Sequence, residues 1–326
     1  MKKIILGIIC FLQLTLCFGA SAVFQSEEYN LQVTYNEVIV PGDAIFVRMS
    51  ITTPKNHKKS KSENEKKGAL ELIQDKKVIE KSNFYALEKK KSNQNYSELL
   101  CGIPISCWLK DGNYSLKVIF TYSDEDETKE FLLPVKFQNR TFDEEVIPLN
   151  ESNTAIKTDT SPERAAQIEK LNNILFTSIP EDVYCLKSFT SPTTSTRYTA
   201  HYGDRRTYKY SNGKSSTDVH NGNDYGIPEG TEVTACADGR VVMAENRIST
   251  GWSIVIEHLP GLYSLYYHLS EMNVSEGDIV KQGDLIAKSG STGLATGPHL
   301  HWEMRLNGSA VRPEFFINNF TFEPNL

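Results

Sequence analysis

The stretch "GPHLHWE", residues 297–303, sets two histidines on either side of one leucine. Successive side chains of an extended strand point to opposite faces, so His299 and His301 share one face while Leu300 and Trp302 take the other. Strand rise puts the two imidazoles roughly 7 Å apart. They need a common target, and the sequence upstream supplies one.

In "HNGNDYGIP" (220–228), His220 and Asp224 stand four apart across a turn that contains a glycine. A loop of this kind can fold both side chains onto one cation. Two neutral imidazoles and a carboxylate form the ligand set of a catalytic zinc site, with the fourth position left for water. Either His299 or His301 can complete that set. The other then sits one strand step away, within reach of the water whose proton must be removed.

The remainder of the chain limits what such a site can serve. The 326 residues have ordinary globular composition, 39% hydrophobic and 23% charged, and are long enough for two domains. The formal charge is −6, and removing residues 1–22, which hold Lys2 and Lys3 but no acid, makes it two units more negative. A chain this acidic is not built to bind nucleic-acid backbones. Residues 1–22 have a basic start, a short apolar run and small residues ending in Ala20-Ser21-Ala22, the layout of a cleaved signal peptide. Lipidation at Cys17 is the rival reading, disfavoured by Leu16 where a small residue is expected. Export predicts a periplasmic or cell-envelope location and a mature chain with no transmembrane segment.

An oxidising compartment makes the four remaining cysteines relevant. These are Cys101, Cys107, Cys185 and Cys236; Cys101 and Cys107 in "CGIPISC" could close a small loop, and buried free thiols are the alternative, above all for Cys236 in the apolar "EVTACA".

Residues 23–140 read as short strands, "LQVTYNEVIV", "AIFVRMSIT", "ALELIQ", "YSLKVIFTY" and "FLLPVKF", separated by turns such as Pro41-Gly42-Asp43. This pattern predicts an Ig-like β-sandwich. Two lysine-rich stretches, 55–67 and 88–95, read as solvated loops. Residues 141–185 form a connector, with an amphipathic helix opened by Ser161 as N-cap and Pro162, and Ala165, Ile168, Leu171 and Leu175 as its apolar stripe. From 186 to 326 the chain turns Gly-rich, and "IPEGTEVTACADGRVV" (227–242) and "VSEGDIVKQGDLIAKSG" (274–290) share one hairpin grammar. This half holds every candidate catalytic group. It is expected to contain all that the chemistry needs.

At this point the residues resemble a known family. "HNGND", "LYYHLS" and "GPHLHWE" are similar to the signature segments of the lysostaphin-like, LytM-type zinc peptidases, which cut peptide cross-links of bacterial peptidoglycan. The resemblance runs from about His201 to Phe316 and includes "GDLIAKSGSTGLATGPHLHWE". It implies Zn2+ held by His220, Asp224 and His301, with His268 and His299 as the two catalytic histidines. It implies an extended groove over an antiparallel, barrel-like sheet. Asn223 departs from the family pattern, which has an aliphatic residue there. That departure bears on packing under the turn and leaves the ligand types intact.

Other groups have structural readings. His258 in "SIVIEHLPG" matches no ligand role. His201 in "AHYGDRR" precedes the metal motif and could approach the cleft. Tyr266 shares a face with His268 by strand alternation and could line the groove. "GSTGLATG" lacks the lysine of a phosphate loop, and neither H-E-x-x-H nor G-x-S-x-G occurs.

The sequence thus predicts a mainly β protein: an exported zinc metalloendopeptidase acting on peptidoglycan peptides. The alternative is a non-catalytic cell-wall-binding regulator that activates another hydrolase. Cell-wall regulators are further candidate partners.

Overall fold

A computed structural model of the chain describes residues 20–26, 29–54, 67–87, 95–122, 128–317, 320 and 322. Residues 1–19 of the leader, Cys17 among them, and nearly all of both lysine-rich stretches lie outside the described residues, while Ala20–Ala22, read from sequence as the end of the leader, form the start of a strand paired with Val33–Tyr35.

The N-terminal strands are β1 (Ala20–Gln25), β2 (Asn30–Tyr35), β3 (Val38–Ile39), β4 (Ala44–Thr52), β5 (Lys67–Gln74) and β6 (Lys77–Asn83). They continue with β7 (Tyr85–Leu87), β8 (Tyr96–Pro104), β9 (Tyr114–Thr121), β10 (Lys129–Pro134) and β11 (Lys136–Phe137). The connector holds β12 (Glu144–Pro148), α1 (Glu151–Thr158) and α2 (Pro162–Leu175). Then come β13 (Tyr198–Ala200), β14 (Arg205–Lys209), β15 (Ser215–Val219), β16 (Gly222–Tyr225), β17 (Glu232–Thr234) and β18 (Gly239–Arg247). The last are β19 (Gly251–Leu259), β20 (Leu262–Met272), β21 (Ile279–Val280), β22 (Leu285–Ser289), β23 (Leu300–Leu306), β24 (Ser309–Val311) and α3 (Glu314–Ile317).

A five-stranded sheet, β1-β2-β4-β8-β7, and a four-stranded sheet, β10-β9-β5-β6, share one core. β2 and β9 alternate as their sequences predict, with Leu31, Val33, Leu116 and Val118 inward. β8 breaks that rule, because it is buried on both faces. Cys101 and Ile103 enter the core between the sheets, while Leu100 joins Phe46 and Tyr85 against the C-terminal half. A strand covered on both faces reads as a continuous apolar run and not as an alternation.

The contact between the halves is apolar with a charged clamp. Phe46 meets Phe316, Phe320 and Phe322 at ring-centroid distances of 6.2, 5.3 and 4.9 Å. Asp43 accepts from Arg140 (2.7 Å) and from Arg312 (2.7 Å), a buried carboxylate satisfied by two guanidiniums from different parts of the chain.

The C-terminal sheet has ten strands, ordered β13-β16-β23-β20-β19-β18-β21 with β17, β22 and β24 at its side. Its order is open and does not close into the expected barrel-like form, since β13 and β21 end the row without pairing to each other. The two similar hairpin stretches pair with one another, β17 with β22 and β18 with β21.

Ser161 caps α2 through Arg164 N, and Pro162 opens it, as its sequence predicts. The docking face is different. Ala165 and Ile168 are exposed, and the helix presents Arg164, Gln167, Leu171, Ile174 and Leu175 to the sheet. Hydrogen bonds turn it there: Arg164 Nε donates to Ser249 Oγ (3.1 Å), and Gln167 Oε1 accepts from Ile248 N (2.9 Å). Leu175 then covers Met243, Val255, Tyr263 and Leu265.

All four described cysteines are free. The Cys101–Cys107 loop does not form, because Cys101 points into the inter-sheet core while Cys107 Sγ accepts from Arg205 Nη1 at 3.5 Å. No helix among the described residues is long and apolar enough to cross a membrane.

Candidate metal centre and active site

Antiparallel register builds the site from three adjacent strands. Asp224 on β16 pairs with His301 on β23, which pairs with Tyr267 on β20, so the three side chains form one row across the sheet. His220 enters from the turn ahead of β16. That turn approaches β23 so closely that a Cβ at Gly222 would lie 2.3 Å from Trp302 O. Any other residue at Gly222 would push His220 off the row.

His220 Nε2 lies 3.1 Å from Asp224 Oδ1 and 3.0 Å from His301 Nδ1, and His301 Nδ1 lies 2.7 Å from Asp224 Oδ1. One ligand atom from each of the three lies within 4.8 Å of the others, and all three residues are buried. The outward nitrogens fix the tautomers. His220 Nδ1–H donates to His201 O (2.8 Å), since a carbonyl oxygen can only accept. His301 Nε2–H donates to Glu303 Oε1 (2.9 Å), and Arg305 Nε donates to the other carboxylate oxygen (2.7 Å).

With both outward nitrogens protonated, the inward nitrogens carry lone pairs that face each other and a carboxylate oxygen. Three acceptors with no hydrogen between them repel, and a cation among them removes the conflict. Without a metal, a proton on His301 Nδ1 fills that place: burial disfavours a charged His301, yet hydrogen bonds donated to Asp224 and Glu303 and their negative charge push its pKa up to about 9. Burial also opposes ionisation of Asp224, but His220 and His301 hold its carboxyl well below the usual range. The cluster therefore attracts positive charge, and its two nitrogens and one oxygen suit a divalent metal such as zinc.

His299 and His268 flank this cluster. His299 Nδ1–H donates to Gly297 O (2.8 Å), which leaves Nε2 free at 3.7 Å from Asp224 Oδ1. His268 has φ +61°, a left-handed backbone that L residues seldom adopt. Strict alternation would send its ring to the core face with Tyr266. The positive φ instead returns it to the site face, where its ring centroid is 4.6 Å from that of His299. His268 N donates to Thr250 O (2.9 Å) and Nδ1–H to Thr292 O (2.7 Å), which hold it there. Burial, reinforced by His299 and His301, keeps His268 neutral with a pKa near 3.

The structure thus brings all five motif residues together. Tyr266, expected as a groove residue, is fully buried and accepts from Cys236 N (3.0 Å). Its neighbour Tyr267 reaches the site, parallel to His301 at 5.5 Å between centroids. The backbone of His268 is the reason for the exchange. His258 is structural, bonded to Asp238 O (2.8 Å) and Ser264 Oγ (2.7 Å). His201 contributes its carbonyl to His220, while its ring stays largely exposed. Asn223 is buried and accepts from Tyr202 N (2.9 Å), a bond no aliphatic residue could make.

Sequence reading missed Glu303, Tyr267 and Arg206. Glu303 was accessible to it, being the next same-face residue after His299 and His301. Arg206, whose Nη2 donates to Asp224 Oδ2 (2.9 Å), carried no local signal.

Comparison with known proteins falls on this same region. Residues 218–313 match the model of Peptidase family M23. The DD-carboxypeptidase/endopeptidase Mpg of Neisseria meningitidis serogroup B is 44% identical over 95 residues, 29% of this chain and 22% of that protein. The peptidoglycan DD-endopeptidase ShyA of Vibrio cholerae serotype O1 is 44% identical over 92 residues, 28% of this chain and 21% of that protein. The chain thus spans about a fifth of the length of these curated relatives. A crystal structure of a putative peptidase M23 from Pseudomonas aeruginosa covers 86% of this chain and 96% of its own, with TM-score 0.52 and 18% identity, a likeness of fold alone. Residues 218–313 of this mainly β chain are therefore a Peptidase family M23 domain, as the likeness of its motifs to lysostaphin-like peptidases implies.

Proposed function

We propose that the protein is an exported zinc metalloendopeptidase that hydrolyses peptide cross-links of bacterial peptidoglycan. The observation that carries this reading is the convergence of five motif residues, three as inward-facing ligand atoms and two as imidazoles beside them. Relatives named as peptidoglycan DD-endopeptidases support the substrate class.

His220, Asp224 and His301 would hold the zinc. Zinc at such a site supplies a Lewis acid that polarises the scissile carbonyl and lowers the pKa of a coordinated water towards about 7. His299, with its one ring proton fixed on Gly297, offers Nε2 as the acceptor for the proton of the attacking water. His268, with its proton on Thr292, offers a second basic nitrogen. A ring that has taken up a proton becomes a donor, able to stabilise the developing oxyanion or to protonate the leaving amine. Glu303 and His201 O keep the ligand rings in the tautomers that binding needs.

A regulator that had given up hydrolysis would have no need of His268 in a strained backbone. The test is digestion of defined cross-linked muropeptides by metal-loaded protein, with products identified by mass spectrometry. Cleavage of the cross-link that stops on chelation and returns with zinc is expected. Metal-loaded protein that binds muropeptides and releases no product would overturn the reading in favour of a regulator.

A further inference from the structure

We propose that Arg206, held by Glu145 from the connector, is a positioning residue for the metal ligand Asp224. The inference rests on the metal-site reading above and extends it to residues outside the matched 218–313 span.

Asp224 divides its two oxygens. Oδ1 faces His220 and His301, while Oδ2 accepts from Arg206 Nη2 at 2.9 Å. A carboxylate whose second oxygen is already bound offers the metal one oxygen in one orientation. Arg206 is itself fixed. Glu145 stands opposite it in the parallel β12–β14 register and accepts from its Nε. The Arg206 and Asp224 side chains are 12% and 10% exposed, which makes that pair a largely desolvated one, with Glu145, at 34%, as its more solvent-facing end. Such pairs hold geometry well, because leaving a buried charge without its partner is costly.

The preceding residue points the other way, as strand alternation requires. Arg205 lies over the Trp108 ring at 3.8 Å and donates to Cys107 O at 2.9 Å, both in the N-terminal half. Two adjacent arginines on β14 thus tie the N-terminal half to one face and a metal ligand to the other.

The test uses the full chain with Arg206→Met, Arg206→Lys and Glu145→Gln. Zinc affinity is read by competition with a chromophoric chelator, and kcat and KM on one muropeptide. Loss of an outer partner of a metal ligand typically weakens metal binding 10–100-fold. Arg206→Met should fall in that range, with kcat reduced and KM nearly unchanged. Arg206→Lys keeps one donor for Asp224 and should recover part of the affinity. Glu145→Gln should show a smaller loss than Arg206→Met. Folded Arg206→Met protein that binds zinc as tightly as the parent overturns the proposal while the metal site stands. Parent protein that takes up no zinc overturns the metal-site reading itself. If Arg206→Met does not fold, Arg206→Lys and Glu145→Gln decide: unchanged affinity in both overturns the proposal.

Discussion

His220 Nε2 and His301 Nδ1 lie 3.0 Å apart, and the outward nitrogen of each ring is committed as a donor. Without a metal, or a proton on His301 in its place, this approach is repulsive, so metal occupancy should be coupled to stability. Zinc at 100 times its dissociation constant would add about 2.7 kcal/mol to the parent. His220→Ala, Asp224→Ala and His301→Ala should each lose the bound zinc and the rise in Tm that zinc confers. Metal analysis and thermal unfolding with and without chelator check this. A variant that keeps one zinc per chain removes its residue from the ligand set.

His268 and His299 are expected to behave differently. His268→Ala and His299→Ala should retain zinc yet lose roughly 10²–10⁴-fold in turnover, the usual contribution of general acid–base help. Metal content and rate are measured on one preparation. Should His299→Ala shed zinc while His301→Ala keeps it, the roles within "GPHLHWE" are exchanged.

The motif half of the site was legible because its residues are close in sequence. His220 with Asp224, and His299 with His301, declare their geometry through a turn and a strand. The supporting half was not. Arg206 reaches Asp224 through sheet register, and Glu145 reaches Arg206 across a parallel pair whose partners lie 61 residues apart. His268 misled in another way, since alternation assigns Tyr266 to its face and one positive φ substitutes Tyr267. In the N-terminal half the alternating strands were readable, whereas β8, covered on both faces, offered no period to read.

The backbone of His268 gives a prediction with an unusual sign. Glycine in a strand normally costs stability, but a left-handed conformation costs an L residue roughly 1–2 kcal/mol that glycine avoids. His268→Gly and His268→Ala both remove the imidazole and its bond to Thr292. The glycine variant should nevertheless be the more stable by about 1 kcal/mol. Urea unfolding of the two resolves it; alanine equal to or above glycine would mean that the strain is absent.

His258 should make the fold acid-sensitive independently of the metal. Burial lowers its pKa from 6.5 to about 4, although the carbonyl and charge of Asp238 work the other way. Between those values the unfolded chain binds a proton that the folded chain refuses, so stability falls as pH drops from about 6.5 to about 4. Above 6.5 the group contributes no slope. The full shift corresponds to about 3 kcal/mol. Unfolding of chelator-treated protein at several pH values should show a shallower acid slope for His258→Asn than for the parent. An identical slope would assign the sensitivity to other groups.

The final expectation concerns whether the C-terminal half stands alone, as its complement of chemical groups suggests. Three structural facts oppose this. Phe316 and Phe322, in the C-terminal core, are covered by Phe46 on β4, and burial of such a side chain is worth about 1.5–3 kcal/mol. α2 covers Met243, Val255, Tyr263 and Leu265 through Leu175, and β12 supplies the edge partner of β14. A fragment of residues 186–326 lacks all three. It should aggregate or bind a hydrophobic dye, and hold zinc weakly for want of Glu145. The full chain, clamped at Asp43 by Arg140 and Arg312, should unfold in one calorimetric transition. A monomeric 186–326 fragment that melts as sharply and as high as the full chain, with parental zinc affinity, would show that the N-terminal half and connector only cover a domain that is already complete.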